Sequence, residues 1–154
     1  MFGRTIIALS LAFAAVAPAS MAYAQDGVVL SGDAKVVRQV EENGTLVEKL
    51  EEPTKVIPGD RIVFTTKYVN GGTEAADALV ITNPLPAPVA LAEEGDFQVS
   101  VDGKSFGKLA DLTVTDETGA SRAATLGDVT HVRWVIPVIA AGETGTVHYF
   151  GIVR

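Results

Sequence analysis

The chain has 154 residues, enough for one domain, and carries 12 Lys and Arg against 19 Asp and Glu, for a net charge of −7. This acidity gives no electrostatic reason to bind nucleic acid or anionic lipid, so no nucleic-acid partner is expected. The sequence contains no cysteine, which excludes disulfides, thiolate metal sites and thiol catalysis.

The N-terminus has the pattern of a cleavable secretory signal. Arg4 precedes an apolar run over residues 6–17, Pro18 interrupts that run, and Ala22 and Ala24 put small residues where a signal peptidase cuts. The run is too short to cross a bilayer, and no later stretch approaches the roughly 20 apolar residues that a membrane span needs. We therefore expect cleavage after Ala24, a secreted or periplasmic product, and no transmembrane segment in that product.

The rest of the chain shows two-residue alternation, β-branched residues and frequent Gly, Pro, Asn and Asp, which predicts short antiparallel strands. Ala34–Glu41 and Thr45–Leu50 flank an Asn-Gly pair and predict a hairpin with one solvated face. Arg61–Val69 is the clearest strand, because its side chains alternate between two faces of different character. The side chains of Asp60 and Asn70, at the two ends of that strand, are expected to bond nearby backbone groups.

Further strands are predicted at Ala78–Thr82, near Val89–Leu91, and at Phe97–Val101, Leu112–Asp116, His131–Ile136 and Thr146–Val153. Pro137 is expected to end the strand before it, and Trp134 to fill the core. About seven to nine strands, with turns every 8–12 residues, are typical of an immunoglobulin-like antiparallel β-sandwich. The expected organisation is a signal peptide over residues 1–24, an N-terminal segment with the hairpin over residues 25–55, and the sandwich over residues 56–154. Residues 25–154 are expected to form one folded unit.

Several segments resemble, in order and spacing, those of a known bacterial domain: PGDRIVFTTKYVNGG from Pro58, ADALVITNPLP from Ala76, VRWVI from Val132 and AGETGTV from Ala141. The domain that they resemble is the conserved repeat domain, also called domain of unknown function eleven. The similarity runs from about Val56 to the C-terminus, and Asn83 departs from it because an acidic residue is usual there. The resemblance implies an immunoglobulin-like sandwich at or outside the cell envelope, and it carries no reaction and no catalytic residues.

The segment Gly103–Gly107 matches the pattern of a hydrolase nucleophile, with Ser105 at its centre. Candidate triad partners follow in the required order: Asp111 or Asp128, and then His131 or His148. The motif needs a strand before the serine and a helix after it, which together build the oxyanion hole. Because another strand is expected after this segment, we predict an irregular loop, and a weak serine hydrolase is only a distant third function.

Two acidic loops, Glu93–Asp96 and Asp116–Glu117, are the remaining candidate ligand sites. Calcium needs six to eight oxygen ligands from alternating positions, and neither loop has that spacing, so both are expected to be solvated. His131 and His148 could sit on adjacent strands, but zinc would still need a third ligand. Asn43 begins a glycosylation sequon, yet its place before a glycine favours a turn.

These patterns predict a non-catalytic exported module of the bacterial cell envelope or extracellular space, acting through protein surface contacts, for instance as a subunit of an assembly. The expected partners are other envelope or extracellular proteins. Further copies of the chain are also expected partners, since Val28–Leu50 or Thr146–Val153 could pair with a neighbour's sheet edge. The alternative function is a small-ligand or metal-binding β-sandwich that takes calcium or a glycan. No residue is assigned a catalytic, cofactor-binding or metal-binding role, and no cofactor is expected.

Overall fold

The structure is a computed structural model that describes residues 27–154. The predicted secretory signal therefore lies outside the described residues. The described part contains ten strands: β1 Val28–Glu42, β2 Thr45–Glu51, β3 Arg61–Asn70, β4 Ala76–Pro84, β5 Val89–Leu91, β6 Gln98–Ser100, β7 Thr113–Thr115, β8 Ser121–Ala123, β9 His131–Ile139 and β10 Thr144–Val153. Two short 3₁₀ helices cover Leu109–Asp111 and Leu126–Asp128. Within residues 27–154, no helix has the length and apolar character needed to cross a bilayer.

The strands form two main antiparallel sheets. One has five strands in the order β2-β1-β3-β10-β5, and the other has three in the order β4-β9-β6. A third, two-stranded sheet pairs β7 with β8. The expected all-β antiparallel sandwich with an added N-terminal hairpin is confirmed. The strand count exceeds the expected seven to nine because β8, in a polar segment without apolar alternation, was not predicted.

The core lies between the inner faces of the two main sheets. Its largest buried group is built on aromatic contacts: Phe64 stacks on Tyr149 with ring centroids 4.8 Å apart, and Phe97 meets Trp134 edge-on at 5.4 Å. Trp134 is only 8% exposed, which confirms the prediction that it fills the core. Apolar residues from both sheets, and one that follows the second 3₁₀ helix, complete this group: Val28, Leu79, Ile81, Leu91, Val99, Val132 and Ile139 from the sheets, and Val129.

The N-terminal hairpin is confirmed, and its first strand is longer than expected. β1 begins at Val28 and pairs with β3 as far as Val37, and its C-terminal part pairs with β2. Asn43 and Gly44 both have positive φ, 52° and 79°, which is the backbone of a two-residue turn whose twist suits the flanking strands. The hairpin therefore continues one strand of the five-stranded sheet and projects past the start of β3.

The two polar residues at the ends of β3 do bond to backbone groups, as predicted. The Asp60 carboxylate accepts a hydrogen bond from the Ile57 N–H at 2.9 Å and forms an ion pair with Arg38 of β1. The hydrogen bonds from Arg38, and then that from Ile57, hold the pKa of Asp60 below its ordinary value despite burial. At the other end, the Asn70 amide donates to the backbone carbonyls of Glu74 and Ile139.

The prediction that Pro137 ends its strand was wrong, because β9 continues to Ile139. Pro137 has no N–H to contribute to the sheet, and it is absent from the paired positions between β4 and β9. Ala78 lies opposite it and adopts a positive φ of 52°. A local distortion of β4 thus accommodates the proline, and regular pairing resumes on either side of it.

Candidate binding surface

Ser105 lies in the loop between β6 and the first 3₁₀ helix, where its hydroxyl donates to the Asp102 carboxylate at 3.2 Å. Asp102 also accepts hydrogen bonds from the backbone N–H groups of Ser105 and Lys104 and from the hydroxyl of Ser100. These bonds hold the pKa of Asp102 well below its ordinary value. Only the three-residue 3₁₀ helix Leu109–Asp111 follows, so the strand-to-helix turn that a hydrolase nucleophile needs is not formed here. Within residues 27–154, no histidine is hydrogen-bonded to Ser105.

The two histidines lie in different sheets, so the expectation that they could occupy adjacent strands was wrong. His131 is on β9, where its Nδ1 is hydrogen-bonded to the Thr130 hydroxyl at 2.9 Å. His148 is on β10, where its ring meets the edge of Phe150. Across residues 27–154 there is no cluster of three or more His, Cys, Asp or Glu side chains arranged to hold a metal ion.

Two other carboxylates among the candidate residues cap turns. The Asp128 carboxylate accepts hydrogen bonds from both terminal nitrogens of Arg122 at 2.7 Å and from the hydroxyl and N–H of Thr125. These contacts lower the pKa of Asp128. Asp116 accepts hydrogen bonds from Thr118 and Ala120 within its own loop, and these also lower its pKa. Both side chains are thus occupied in fixing local backbone.

The feature that stands out is an open flank, where the two main sheets each leave a strand edge unpaired. β9 pairs with β6 only as far as Arg133, so Trp134–Ile139 have no strand on that side within the described residues. β10 pairs with β3 along nearly its whole length but with β5 only at Gly151–Val153. The segment Thr144–His148 of β10 therefore forms a sheet edge beside the unpaired edge of β9.

The direction of the backbone groups on this edge follows from strand alternation. The carbonyl of Glu143 accepts a hydrogen bond from Asn70 of β3, whereas that of Phe150 accepts one from Ala92 on the opposite side. Because successive residues of a strand alternate in the direction of their N–H and C=O groups, those of Thr146 and His148 point away from β3, as Phe150 does. They meet no backbone partner within residues 27–154.

The loop that connects β5 to β6 crosses this flank and encloses a recess of about 270 Å³. The recess is lined by Glu93–Phe97 of the loop, by Thr146–Phe150 of β10 and by Trp134 of β9. A wider groove of about 630 Å³ continues along β9 and shares Phe97, Trp134 and Val147 with the recess. We call the recess and this groove together the flank groove.

Two deeply buried aromatic residues with polar ends line the flank groove. Trp134 is 8% exposed and Tyr149 is 2% exposed, and both line the recess. Within residues 27–154, neither the Trp134 indole N–H nor the Tyr149 hydroxyl has a protein hydrogen-bond partner. In the described part, Arg61 Nε is the only side-chain nitrogen or oxygen that is both fully buried and without a hydrogen-bond partner. Because the Trp134 N–H and the Tyr149 hydroxyl also lack a protein partner, each must be at least partly exposed to solvent. Burial raises the pKa of Tyr149.

The acidic loop Glu93–Asp96, expected to be only a solvated loop, forms the charged wall of this recess. Arg61 holds one end of it: its guanidinium lies 3.0 Å from the Glu93 carboxylate and stacks 4.1 Å from the ring centroid of Phe150. Glu94 and Asp96 are exposed and form no ion pair within residues 27–154. The wall therefore carries two carboxylates without an ion-pair partner beside the edge of β10, whereas Lys108 and Arg133 line the wider groove.

The opposite edge of the five-stranded sheet is protected differently. β2 is its outermost strand, and Leu46 and Leu50 on it are 66% and 62% exposed. Charged residues separate them: Glu48, and Lys49, which pairs with Glu42 of β1. Interspersed charges of this kind hinder strand addition, so β2 is a less suitable edge than β10.

Comparison with known protein families, with curated proteins and with solved structures found no match for this chain. The resemblance to the conserved repeat domain therefore stays a prediction.

Sequence patterns did not identify the flank groove. Its residues belong to five separate segments of the chain, and only the order of strands in the sheets brings them together. The one available signal was the brevity of the predicted strand near Val89–Leu91, since a three-residue strand leaves most of a ten-residue neighbour unpaired.

Proposed function

We propose that this protein is a non-catalytic exported module of the bacterial cell envelope or extracellular space, and that it binds other proteins through the flank groove. The observation that carries the proposal is the unpaired edge of β10 at Thr144–His148 beside a recess lined by Trp134 and Tyr149. Unpaired strand edges beside apolar recesses are a recurrent way for proteins to take up an extended segment of a partner. The N-terminal signal pattern supports export, and the family resemblance supports an envelope location.

The occupied state of the candidate catalytic groups supports the non-catalytic part of the proposal. Ser105 donates to Asp102 rather than to an imidazole, and Asp128 is held by Arg122 and Thr125. A nucleophile needs a nearby general base that can accept its proton, and the Asp102 carboxylate, with its lowered pKa, is a poor acceptor. Turnover of an ester substrate that Ser105→Ala abolishes would contradict this reasoning.

The test of the binding function is site-specific photocrosslinking in cells that make the full chain. A photoreactive residue at Thr146 should give adducts of discrete mass in the periplasmic, envelope or extracellular fraction. The matched control is a photoreactive residue at Thr115, an exposed strand position on the separate β7–β8 sheet. The binding proposal fails if both positions give the same adducts or if neither gives any, and the localisation proposal fails if the chain stays in the cytoplasm with its N-terminus uncleaved.

The alternative, a small-ligand site, draws on the same recess, because its polar aromatic ends and carboxylates offer hydrogen bonds to a glycan or another small polar ligand. A thermal-shift screen against calcium, zinc and glycans separates the two functions. A stabilisation by one of these ligands that Trp134→Phe reduces would favour the small-ligand site over the protein-binding site.

A further inference from the structure

We propose that the occupant of the flank groove is an extended, positively charged segment of another protein, which adds to the five-stranded sheet as a sixth strand beside β10. This inference rests on the proposed binding function and specifies its partner. It combines three features of the groove: outward backbone groups, a recess lined by aromatic side chains, and an acidic wall whose Glu94 and Asp96 form no ion pair.

The backbone features determine that the occupant is extended. Thr146 and His148 present N–H and C=O groups away from β3, in the plane of the sheet, at the two-residue spacing of a strand. A polypeptide in the β conformation satisfies both pairs of groups at once, as in other cases of strand addition. A helix satisfies its backbone internally and has no groups to offer them.

The recess determines the side chains of the occupant. An added strand turns alternate side chains towards the three-stranded sheet, where the recess is lined by Phe97, Trp134 and Val147. One apolar side chain suits a recess of about 270 Å³. The unpartnered Trp134 N–H and Tyr149 hydroxyl can bond to carbonyl groups of the same segment, because buried tryptophan and tyrosine normally find such partners.

The charges of the recess favour a positively charged partner and disfavour a second copy of this chain. Glu94 and Asp96 line the recess without an ion-pair partner, and the cations of the flank groove, Lys108 and Arg133, line only its wider part, so a Lys or Arg next to the apolar anchor would be attracted to the two carboxylates. A second copy that offered its own β10 edge would bring two acidic walls together. Its β2 edge carries Glu48 and Glu51 against one lysine, Lys49, and its β4 edge carries Asp77 and no Lys or Arg. Each chain also carries a net charge of −7, which opposes self-association.

The experiment measures binding of synthetic seven-residue peptides to the purified protein through the fluorescence of Trp134, the only tryptophan in the chain. The probe peptide alternates Val and Thr and carries one terminal Lys, and its control carries Glu in place of Lys. We expect the Lys peptide to bind about fivefold or more tightly than the Glu peptide. The double substitution Glu94→Gln and Asp96→Asn should reduce that difference to about twofold or less. Glu48→Gln on β2 is the matched control and should leave the difference unchanged.

The strand-addition part has its own variants. Thr146→Pro removes an N–H that points away from β3, so it should weaken peptide binding at least tenfold while the sheet pairing is kept. Thr146→Val keeps the N–H and should bind as the native protein does. If Thr146→Pro unfolds, peptides N-methylated on alternate residues provide the same test on the intact protein. Methyl groups on the residues that bond β10 should abolish binding, whereas methyl groups on the other residues should not.

Each outcome decides the matter. Equal binding of the Lys and Glu peptides, no binding of any peptide at about 1 mM, or binding insensitive to both backbone tests would overturn the inference. Concentration-dependent dimers in light scattering that Thr146→Pro dissolves would identify a second copy as the occupant instead. Adducts from photocrosslinking at Thr146 together with any of these results would leave the proposed binding function standing and refute only the partner assigned here.

Discussion

Asn70 links three segments of the sandwich, and its removal should be among the costliest single changes outside the apolar core. The side chain is fully buried at the end of β3. Its Nδ2 donates to the carbonyl oxygens of Glu74 at 2.8 Å and Ile139 at 3.0 Å, and its Oδ1 accepts from the N–H of Gly72 at 3.0 Å. Asn70 therefore joins the five-stranded sheet, the β3–β4 loop and the end of β9 in the other sheet.

Asn70→Ala removes all three hydrogen bonds, of which that to the Ile139 carbonyl is buried and those to Glu74 and Gly72 are partly buried. At a net value of about 1 kcal/mol for each hydrogen bond, the free energy of unfolding should fall by about 3 kcal/mol. For a domain of this size that corresponds to a drop of about 10 °C in Tm. Asn70→Asp should destabilise the fold at least as much near pH 7, because it places a carboxylate oxygen next to two carbonyl oxygens, which repel it. Its deficit should shrink on acidification to about pH 4, since protonation restores one donor.

The measurement is urea unfolding followed by the fluorescence of Trp134. The matched control is Asn83→Ala, which removes a single hydrogen bond, from Asn83 Nδ2 to the Thr66 hydroxyl at 2.8 Å. That variant should lose about 1 kcal/mol. A loss below about 1 kcal/mol for Asn70→Ala, or equal losses at the two positions, would refute the assignment of Asn70 as a link between the sheets.

Two further predictions concern the hairpin and its attachment. Asp60→Asn should cost about 1 kcal/mol near neutral pH, because it ends an ion pair that is partly screened by solvent around Arg38. Since the pKa of Asp60 is lowered in the folded state, its stabilisation is present above its ordinary value of 3.8 and is lost as the pH falls through the lowered pKa. The native protein and the Asp60→Asn variant should therefore begin to converge below about pH 4 in acid-unfolding curves. Gly44→Ala should lower the free energy of unfolding by about 1 kcal/mol. The cause is the φ of 79° alone, since open space surrounds this residue. Faster hydrogen exchange confined to the β1–β2 amides would verify this, and unchanged exchange would contradict it.

The features predicted correctly from the sequence are those that neighbouring residues encode. The Asn43-Gly44 pair specifies the hairpin because both residues accept positive φ, and the alternation of β3 specifies a strand without reference to its neighbours. The roles of Asp60 and Asn70 at the strand ends followed from their ability to bond backbone groups. Burial of Trp134 followed from its place in an apolar strand of a sandwich.

The features that were missed depend on residues far apart in the chain. β9 passes through Pro137 only because Ala78, on another strand, takes up the distortion. The separation of His131 from His148 depends on which sheet each strand joins, and the chain passes from one sheet to the other between β9 and β10. Strand alternation carries no information about that change of sheet, so neither the histidine positions nor the flank groove could be predicted from it.

The open edge of β10 would favour polymerisation of the isolated protein unless another feature opposes it. An unpaired strand edge beside an apolar recess is a common cause of edge-to-edge aggregation, and proteins usually place lysine, proline or a bulge on such a strand. Here the edge at Thr144–His148 has none of these, and the charge lies instead on a neighbouring loop, as the carboxylates of Glu94 and Asp96. Charge on the loop repels the edges of other acidic copies without blocking the backbone groups of β10. The carboxylates that would oppose self-pairing would therefore leave the edge accessible to a cationic segment, so one arrangement would serve both purposes.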